Sequence, residues 1–301
     1  MIHGIINIHK EKGYTSHDVV AKLRGIVGQK KIGHTGTLDP DATGVLPVCF
    51  GKATKLCDML TDKNKTYETV MLLGKTTDTQ DISGQVLTEM SYEHLTEEEV
   101  MEKVLSFQGD YMQVPPMYSA LKVNGKKLYE LAREGIEIER KARPVSILAI
   151  EVLEMKLPRV RMRVSCSKGT YIRTLCHDIG DALGCGACME ELVRTKVSCF
   201  ELKNSLTLEE VAEKKKQGQL LEILIPIDQM FLDYEAVSLK SEFIYLVYNG
   251  NAFLPKHLDT TMILTDGKKV RVYDDKNQFI AIYQYVEESN LFKIEKMFFE
   301  R

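Results

Sequence analysis

The pattern of apolar and polar positions predicts a chain that mixes strands and helices. Apolar runs rich in β-branched and aromatic residues predict strands over residues 2–8, 67–74, 146–156 and 160–167. Apolar residues at helical spacing, each run preceded by a residue that caps helix N-termini, predict helices over residues 15–27, 96–107, 170–183 and 207–216. Thr96 and Glu99 have the spacing of a capping box, which supports the second helix.

The pattern changes near residues 226–236, where Pro226 ends a helical stretch. Short apolar segments separated by turns follow, and they predict strands over residues 261–265, 269–273, 279–285 and 291–296. Regularly spaced short strands are typical of a small all-β barrel. We therefore expect two domains, residues 1–233 and 234–301, with the boundary near Tyr234.

Composition narrows the class of protein. The hydrophobic content of 44% and the charged content of 28% are typical of a globular chain. No apolar run approaches the roughly 20 residues that span a bilayer, and the N-terminus lacks the basic and apolar segments of a secretory signal. We expect a cytoplasmic, monomeric protein. Its seven scattered cysteines are then expected to be reduced thiols.

Charge is distributed unevenly although the net charge is only −3. Residues 1–57 carry eight Lys or Arg against four acids, and residues 122–173 carry thirteen against six. Two basic stretches in a mildly acidic chain fit a surface that faces phosphate groups. Solvated lysines on an ordinary surface explain the same numbers equally well, so charge alone leaves both interpretations open.

Residues 33–48 form the most informative segment of the chain. Three glycines and two prolines in sixteen positions exclude a continuous helix or a long strand, and they surround the carboxylate of Asp39. An aspartate in such a loop is most often a turn former or a cap. A catalytic carboxylate instead needs a partner that keeps it ionised, and Arg173, at a predicted strand-to-helix junction, is the candidate counterion.

Aromatic residues are a further requirement of a site that would act on a base of RNA. An enzyme that acts on a base within folded RNA must extrude the base and receive it on a flat apolar surface. Tyr67 and Tyr171 are candidates for that surface, although either one also fits an ordinary core tyrosine. His34, five residues before Asp39, is a candidate to fill the space that the base leaves, or else a polar surface residue.

Two metal-like motifs compete with this interpretation. Cys185 and Cys188 have the spacing of a zinc pair, with Cys176 and His177 nearby, but a zinc site normally needs a second well-spaced pair. His177 and Asp178 resemble the His-Asp pair of metal phosphohydrolases, whose further ligands are not apparent. We assign no metal ligands.

The motifs together resemble the TruB family of tRNA pseudouridine synthases over about residues 2–200. The similarity lies in segments that occur in family order, namely residues 4–24, 33–48, 65–67, 78–84, 114–135, 168–173 and 192–195. Two segments depart from the family pattern. His9-Lys10-Glu11 replaces an Asp-Lys-Pro type motif, and Gly186-Ala187-Cys188 replaces Gly-Ala-His.

The resemblance implies a role for each matching residue. Asp39 is the expected catalytic aspartate, and Arg173 is expected to pair with it. Tyr67 is expected to stack on the target uracil and to help remove its C5 proton. The remaining expectations concern substrate binding: a pocket lining for Tyr171 and Leu192, the space of the flipped base for His34, RNA contact for Asp81, and substrate binding for Lys10.

The resemblance also implies a fold and an activity. The expected fold is α+β, with a mixed, largely antiparallel central sheet flanked by helices and loops, a mobile RNA-clasping insertion at residues 115–145, and a C-terminal PUA-like barrel. The expected reaction converts the uridine at position 55 in the TΨC loop of tRNA to pseudouridine, without metal or cofactor. A tRNA-binding or RNA-folding protein of the same fold that lacks turnover is the alternative.

Overall fold

The structure is a computed structural model that describes residues 1–123 and 125–299. Residues 1–233 hold β1 (Gly4–Lys10), α1 (Ser16–Val27), β2 (Ile32–His34), β3 (Thr43–Phe50), α2 (Cys57–Thr61), β4 (Lys65–Leu73), β5 (Lys75–Thr77), β6 (Val86–Glu89), α3 (Glu97–Ser106), β7 (Gly109–Gln113), β8 (Lys122–Val123), β9 (Lys126–Lys127), α4 (Leu128–Arg133), β10 (Arg143–Lys156), β11 (Arg159–Cys166), α5 (Ile172–Ala182), β12 (Ala187–Val197), β13 (Phe200–Glu201) and α6 (Leu208–Lys216).

The C-terminal part adds β14 (Glu235–Ser238), α7 (Ile244–Tyr248), β15 (Lys269–Tyr273), β16 (Phe279–Val286) and β17 (Leu291–Met297). Short 3₁₀ helices lie at Gly51–Leu56, Leu202–Asn204, Ile227–Phe231, Ser241–Phe243, Pro255–His257 and Glu287–Ser289. Among the residues described, no helix is long and apolar enough to cross a membrane.

A nine-stranded sheet organises the larger part of the chain. Its strands follow the order β1-β3-β12-β4-β11-β10-β7, with β2 beside β3 and β13 beside β12. Strands β3 and β12 run parallel, and the other pairs in this sheet run antiparallel. The predicted mixed, largely antiparallel central sheet is therefore confirmed.

The predicted helix starts are confirmed at three threonines, each of which caps a helix. Thr15 Oγ1 accepts the N–H of Asp18 at 3.0 Å, and the Asp18 carboxylate accepts the N–H of Thr15 at 2.8 Å. The same reciprocal pair begins α3 at Thr96 and α6 at Thr207. These boundaries were predictable because a capping box is a local feature of the sequence.

Strand β12 was not predicted, although it lies in the middle of the sheet. Its pairing with β4 is interrupted by irregularities at Met189/Glu191 and Arg194/Lys196. Each β-bulge inserts a residue and shifts the alternation of inward and outward side chains, so the period of two disappears from the sequence. The segments that resemble the family at residues 192–195 therefore lie on a central strand.

The C-terminal part holds a four-stranded sheet in the order β14-β15-β16-β17. Strands β15, β16 and β17 match the prediction, but residues 261–265 form no strand and β14 pairs with β15 instead. Within residues 125–299, β14 and β17 are the edges of this sheet and do not pair with each other. The predicted C-terminal β unit is thus an open sheet here, and its closure into a barrel is not shown.

The small sheet packs against the larger part of the chain. Ile282 and Phe298 lie in one buried cluster with Ile5 and Val45 of the central sheet. The Lys55 ammonium also donates a hydrogen bond to the carbonyl of Met297 at 3.0 Å. Tertiary contacts therefore join the two predicted domains.

The predicted insertion at residues 115–145 carries its own small apolar cluster. Met117 and the α4 residues Leu128 and Leu131 are buried there. The segment leaves the sheet after β7 and returns as β10, and these two strands pair with each other. Its base is therefore anchored at the edge of the central sheet.

Candidate functional site

The loop that carries Asp39 connects β2 to β3, and it is hydrogen-bonded to residues of α1, of β1 and of the turn between them. The N–H of Leu38 donates to Ser16 Oγ at 2.9 Å, and Ser16 is the first residue of α1. The carbonyl of Pro40 accepts from the Lys10 ammonium at 3.0 Å and from the N–H of Gly13 at 2.9 Å. The backbone on both sides of Asp39 is therefore fixed by hydrogen bonds.

Arg194 on β12 also forms hydrogen bonds with the backbone of this loop. Its guanidinium donates to the carbonyls of Val45 at 2.7 Å, Thr37 at 3.4 Å and Gly36 at 3.4 Å. The side chain is 1% exposed. Sequence reasoning missed this residue as a site component, although an arginine directly after the apolar residues Leu192 and Val193 was the signal for a buried, functional cation.

The structure brings Arg173 and Asp39 together in an ion pair. Arg173 Nε lies 3.0 Å from Asp39 Oδ2. The arginine side chain is 5% exposed and the aspartate side chain is 42% exposed. Arg173 is the second residue of α5, at the junction with β11, as the sequence predicted. The carboxylate thus remains open to a ligand while its counterion is buried behind it.

The rest of the Arg173 guanidinium is also bound. Nη1 donates to the carbonyl of Thr79 at 2.9 Å and lies 3.5 Å from Asp81 Oδ2, and Nη2 donates to the carbonyl of Tyr118 at 2.9 Å. Arg173 therefore ties the Asp39 loop to the loop between β5 and β6 and to the start of the insertion. Asp81 is therefore part of this network of charged groups, and its contact with Arg173 was not indicated by the sequence.

The electrostatic surroundings of Asp39 favour its protonated form more than water does. Burial by surrounding protein raises the pKa of the carboxyl group, the Arg173 guanidinium lowers it, and the Asp81 carboxylate raises it. The net direction is upward from the ordinary value. Because the acid limb of any Asp39-dependent reaction follows this pKa, activity is expected to fall on acidification before an ordinary aspartate is protonated.

The two predicted aromatic residues lie near this carboxylate. Tyr67 on β4 is 9% exposed and belongs to the same buried cluster as Leu38, and Leu192 on β12 packs against that cluster. Tyr171 directly precedes α5 and is close enough to Asp39 for the two groups to influence each other's charge. Tyr67 is therefore both a core tyrosine and a neighbour of the site.

Tyr171 is positioned through its backbone by Gln113, another residue that sequence reasoning missed. The Gln113 side-chain amide accepts the N–H of Tyr171 at 2.8 Å and donates to its carbonyl at 3.0 Å. Gln113 is 1% exposed and ends β7. A buried glutamine that pairs with both backbone groups of one residue fixes that residue's orientation.

His34 ends β2 and lies at the entrance to the loop. Its Nδ1 accepts the N–H of Gly36 at 3.3 Å, and its ring makes an edge-to-face contact with His17 at 5.2 Å between centroids. Burial, and then the neighbouring His17, lower the pKa of His34. The imidazole is therefore neutral near pH 7, which suits packing against a base better than pairing with phosphate.

Lys10 lies against the loop that carries Asp39. The side chain is 0% exposed, and its ammonium donates to the carbonyls of Glu11 and Pro40, both at 3.0 Å. Burial lowers its pKa to about 8. The observed contacts of Lys10 are thus with the loop that presents Asp39, and a direct contact with substrate stays a prediction.

Part of the second basic stretch, residues 122–173, forms ion pairs within the central sheet. Arg163 pairs with Glu68 at 2.8 Å and with Glu151 at 2.6 Å, and Arg159 pairs with Glu190 at 2.7 Å. These strand arginines have acidic partners. The basic residues of the insertion, between residues 122 and 143, are therefore better candidates for a phosphate-facing surface.

The cysteine pair with zinc-like spacing lies in the interior. Cys185 and Cys188 are both 0% exposed, and both thiols have pKa values raised by burial. Across residues 1–123 and 125–299, no group of three or more His, Cys, Asp or Glu side chains is arranged to hold a metal ion.

Gly44, the second residue of β3, is required by the close approach of β12. Its φ is +108°, and a Cβ atom at this position would lie 2.2 Å from the carbonyl oxygen of Arg194. We expect Gly44→Ala to lower the free energy of unfolding by at least about 2 kcal/mol, because backbone atoms must move. Urea unfolding of each variant measures this free energy. Gly25→Ala is the matched control, since Gly25 lies in α1 with open space around it, and equal losses in both variants would contradict the argument.

Comparisons with known proteins point in one direction. A model of the N-terminal domain of TruB family pseudouridylate synthases matches residues 24–172, and a model of the tRNA pseudouridylate synthase B C-terminal domain matches residues 173–232. The tRNA pseudouridine synthase B of Lachnoclostridium phytofermentans is 53% identical over 99% of this chain and 100% of that protein. The tRNA pseudouridine synthase B of Clostridium tetani is 45% identical over 98% of this chain and 99% of that protein.

Solved structures give the same fold. A chain of a Cbf5-Nop10-Gar1 complex aligns with a TM-score of 0.73 and 29% identity, covering 99% of this chain and 85% of that one. A chain of an H/ACA RNP bound to a substrate RNA containing 2'-deoxyuridine aligns with a TM-score of 0.73 and 26% identity, covering 99% and 86%. The alignments include the C-terminal sheet because they extend over nearly the whole chain.

Proposed function

This chain belongs to the TruB family of pseudouridylate synthases, and from that premise we propose that it converts uridine 55 in the TΨC loop of tRNA to pseudouridine. The names of its relatives support tRNA as the substrate class. The observation that carries the proposal is the ion pair between the open Asp39 carboxylate and the buried Arg173 guanidinium, 3.0 Å apart. An enzyme needs such a carboxylate, and a protein that only grips RNA does not.

The proposed reaction begins when the uridine leaves its stack and its sugar meets Asp39. The C1′–N1 bond breaks, the uracil turns, and C5 bonds to C1′. Asp39 acts as a nucleophile or as a base in this sequence, and both roles require the ionised carboxylate. Arg173 keeps a positive charge beside it, which opposes the effect of burial on the pKa of Asp39.

The surrounding residues would bind the extruded base. We propose that Tyr67 stacks on the uracil and helps remove its C5 proton, and that Tyr171 and Leu192 line the pocket. His34, neutral and half-buried at the entrance, would fill the space that the base leaves. Asp81 would contact RNA next to the extruded nucleotide, where it already adjoins Arg173.

Other parts of the chain would bind and position the tRNA. We propose that the insertion at residues 115–145 closes over the T arm and that residues 234–301 form a PUA-like RNA-binding domain. The protein would act as a monomer, without metal or cofactor. Lys10 would act through the Asp39 loop, because its ammonium holds the carbonyl of Pro40.

Tritium release tests the proposal. A tRNA transcript labelled with tritium at C5 of uridine loses one tritium when a single uridine becomes pseudouridine. We expect release approaching one equivalent from the normal transcript and none from a matched transcript with cytidine at position 55. A tRNA-binding protein without turnover would release none from either, and that result would overturn the proposal.

Binding of tRNA is expected to weaken steeply as salt rises, because contacts with phosphate release counterions. The exposed Lys122 and Lys141 of the insertion are candidates for such contacts. Replacing either one with Ala should reduce the slope of log K against log salt by about 0.7–0.9 if it meets one phosphate. Arg163→Ala is the control, since that guanidinium already pairs with two glutamates. Fluorescence titrations at several salt concentrations measure the slope, and a flat response would contradict a phosphate-facing surface.

A further inference from the structure

The turn between β5 and β6 contains a strained residue beside the site. Gln80 has a φ of +64°, in the left-handed region where residues other than glycine are uncommon. Such strain persists only where surrounding contacts fix the backbone, and it clusters at functional sites. Gln80 directly precedes Asp81, whose carboxylate lies 3.5 Å from the Arg173 guanidinium. The strained residue therefore adjoins the contacts of the cation that pairs with Asp39.

The two peptide groups that flank Gln80 face different parts of the molecule. The peptide group before it presents the carbonyl of Thr79, which accepts a hydrogen bond from Arg173 Nη1 at 2.9 Å. The peptide group after it presents the carbonyl of Gln80, which accepts the N–H of Met189 on β12 at 3.0 Å. The backbone torsion angles of Gln80 set the angle between these two groups. The positive φ thus allows one turn to be anchored on β12 and to bind Arg173.

The side chain of Gln80 fixes the same turn against α5. Its Oε1 accepts a hydrogen bond from the Thr174 hydroxyl at 2.7 Å. Thr174 is 1% exposed and directly follows Arg173 on α5. Three consecutive residues of the turn, 79–81, therefore contact two consecutive residues of the helix.

We propose that Gln80 is a positioning residue for Arg173 and, through Arg173, for the Asp39 carboxylate. The inference rests on the proposed function, because it concerns the geometry that Asp39 offers to the extruded uridine. Gln80 fixes the carbonyl of Thr79 where Arg173 donates to it, and the same guanidinium lies 3.0 Å from Asp39. Groups that are oriented before the substrate binds need no reorganisation during the reaction. Gln80 therefore contributes to the rate of the chemical step rather than to the affinity for tRNA.

The first test is the Gln80→Gly variant. Glycine adopts a positive φ without strain, but it lacks the side-chain acceptor for the Thr174 hydroxyl. We expect the single-turnover rate constant for pseudouridine formation at saturating protein to fall at least about 10-fold, because Arg173 is less firmly oriented. The tRNA affinity should be unchanged. The urea midpoint should stay close to that of the wild type, since relief of strain offsets the lost hydrogen bond.

Two substitutions of Thr174 test the hydrogen bond itself. Thr174→Ala and Thr174→Ser both remove the threonine methyl group, and they differ from each other only by the hydroxyl. We expect Thr174→Ala to be about as slow as Gln80→Gly. Thr174→Ser should retain most of the wild-type rate, because its hydroxyl can still donate to Gln80. The double variant of Gln80→Gly with Thr174→Ala should be no slower than the slower single variant, since both changes remove one contact.

Ser198→Gly is the matched control for the change of backbone. Ser198 has a φ of +52° in the turn between β12 and β13, so this substitution also replaces a strained residue with glycine. We expect its single-turnover rate constant to equal that of the wild type. Equal losses of rate in Ser198→Gly and Gln80→Gly would overturn the inference, because they would show a general effect of added backbone freedom.

The outcomes distinguish the inference from the function on which it rests. An active wild type with an equally fast Gln80→Gly variant would overturn the role of Gln80 alone, and so would equally slow Thr174→Ala and Thr174→Ser variants. A wild type that forms no pseudouridine would overturn the proposed function, and the inference with it. A slow Gln80→Gly variant with unchanged tRNA affinity and urea midpoint, together with a fast Thr174→Ser variant, would support the inference.

Discussion

The Asp39→Asn variant is expected to form pseudouridine at least about 10³-fold more slowly than the wild type while binding tRNA with similar affinity. Asparagine has nearly the size of aspartate and leaves the hydrogen bonds of the neighbouring loop carbonyls in place. It has no negative charge, so it can act neither as a nucleophilic carboxylate nor as a base. Single-turnover tritium release and a tRNA titration measure the two quantities separately.

Asp41→Asn is the matched control for this substitution. Asp41 lies two residues away in the same loop, and it takes no part in the ion pair with Arg173. We expect its turnover to remain close to that of the wild type. Substantial turnover by Asp39→Asn, or equal losses in both variants, would show that the reaction does not depend on the Asp39 carboxylate.

The second large effect is expected at Arg173. Replacing it with Gln leaves Asp39 and Asp81 as neighbouring carboxylates without their shared cation, and it removes hydrogen bonds to the carbonyls of Thr79 and Tyr118. Breaking a fully buried pair typically costs about 3–5 kcal/mol of stability, and the loss here should be smaller because water reaches the Asp39 carboxylate. The pKa of Asp39 should rise further, since Arg173 is the group that lowers it most.

The pH dependence follows from the sign of these shifts. The reaction needs ionised Asp39, so kcat/KM falls as pH drops through the pKa of that group. Arg173→Gln should therefore move the acid limb to higher pH. Asp81→Asn should move it to lower pH, because the Asp81 charge raises the pKa of Asp39. Rate profiles between pH 4.5 and 8 measure the limb, and shifts in the same direction for both variants would contradict this account.

Local features of the chain were predictable from the sequence. Thr15, Thr96 and Thr207 begin helices because their capping partners lie three residues away. The loop at residues 33–48 was recognisable from its glycines and prolines, and the pairing of Arg173 with Asp39 agrees with the expectation drawn from the family resemblance.

Features that depend on distant strands were not predictable. Arg194 acts on the loop because β12 lies parallel to β3, and that pairing joins residues about 150 positions apart. The bulges in β12 removed the alternation that identifies a strand. Gln113 and Tyr171 meet only after β7 is paired at the edge of the sheet. The burial of Lys10 likewise depends on how the loop folds over β1.

The most direct test of the central claim maps pseudouridine at nucleotide resolution in one tRNA transcript. The transcript is treated with wild-type protein or with Asp39→Asn at the same concentration. The account predicts pseudouridine at position 55 after treatment with the wild type and unmodified uridine there after treatment with the variant. Comparable modification by both proteins, or wild-type modification only at other positions, would contradict it.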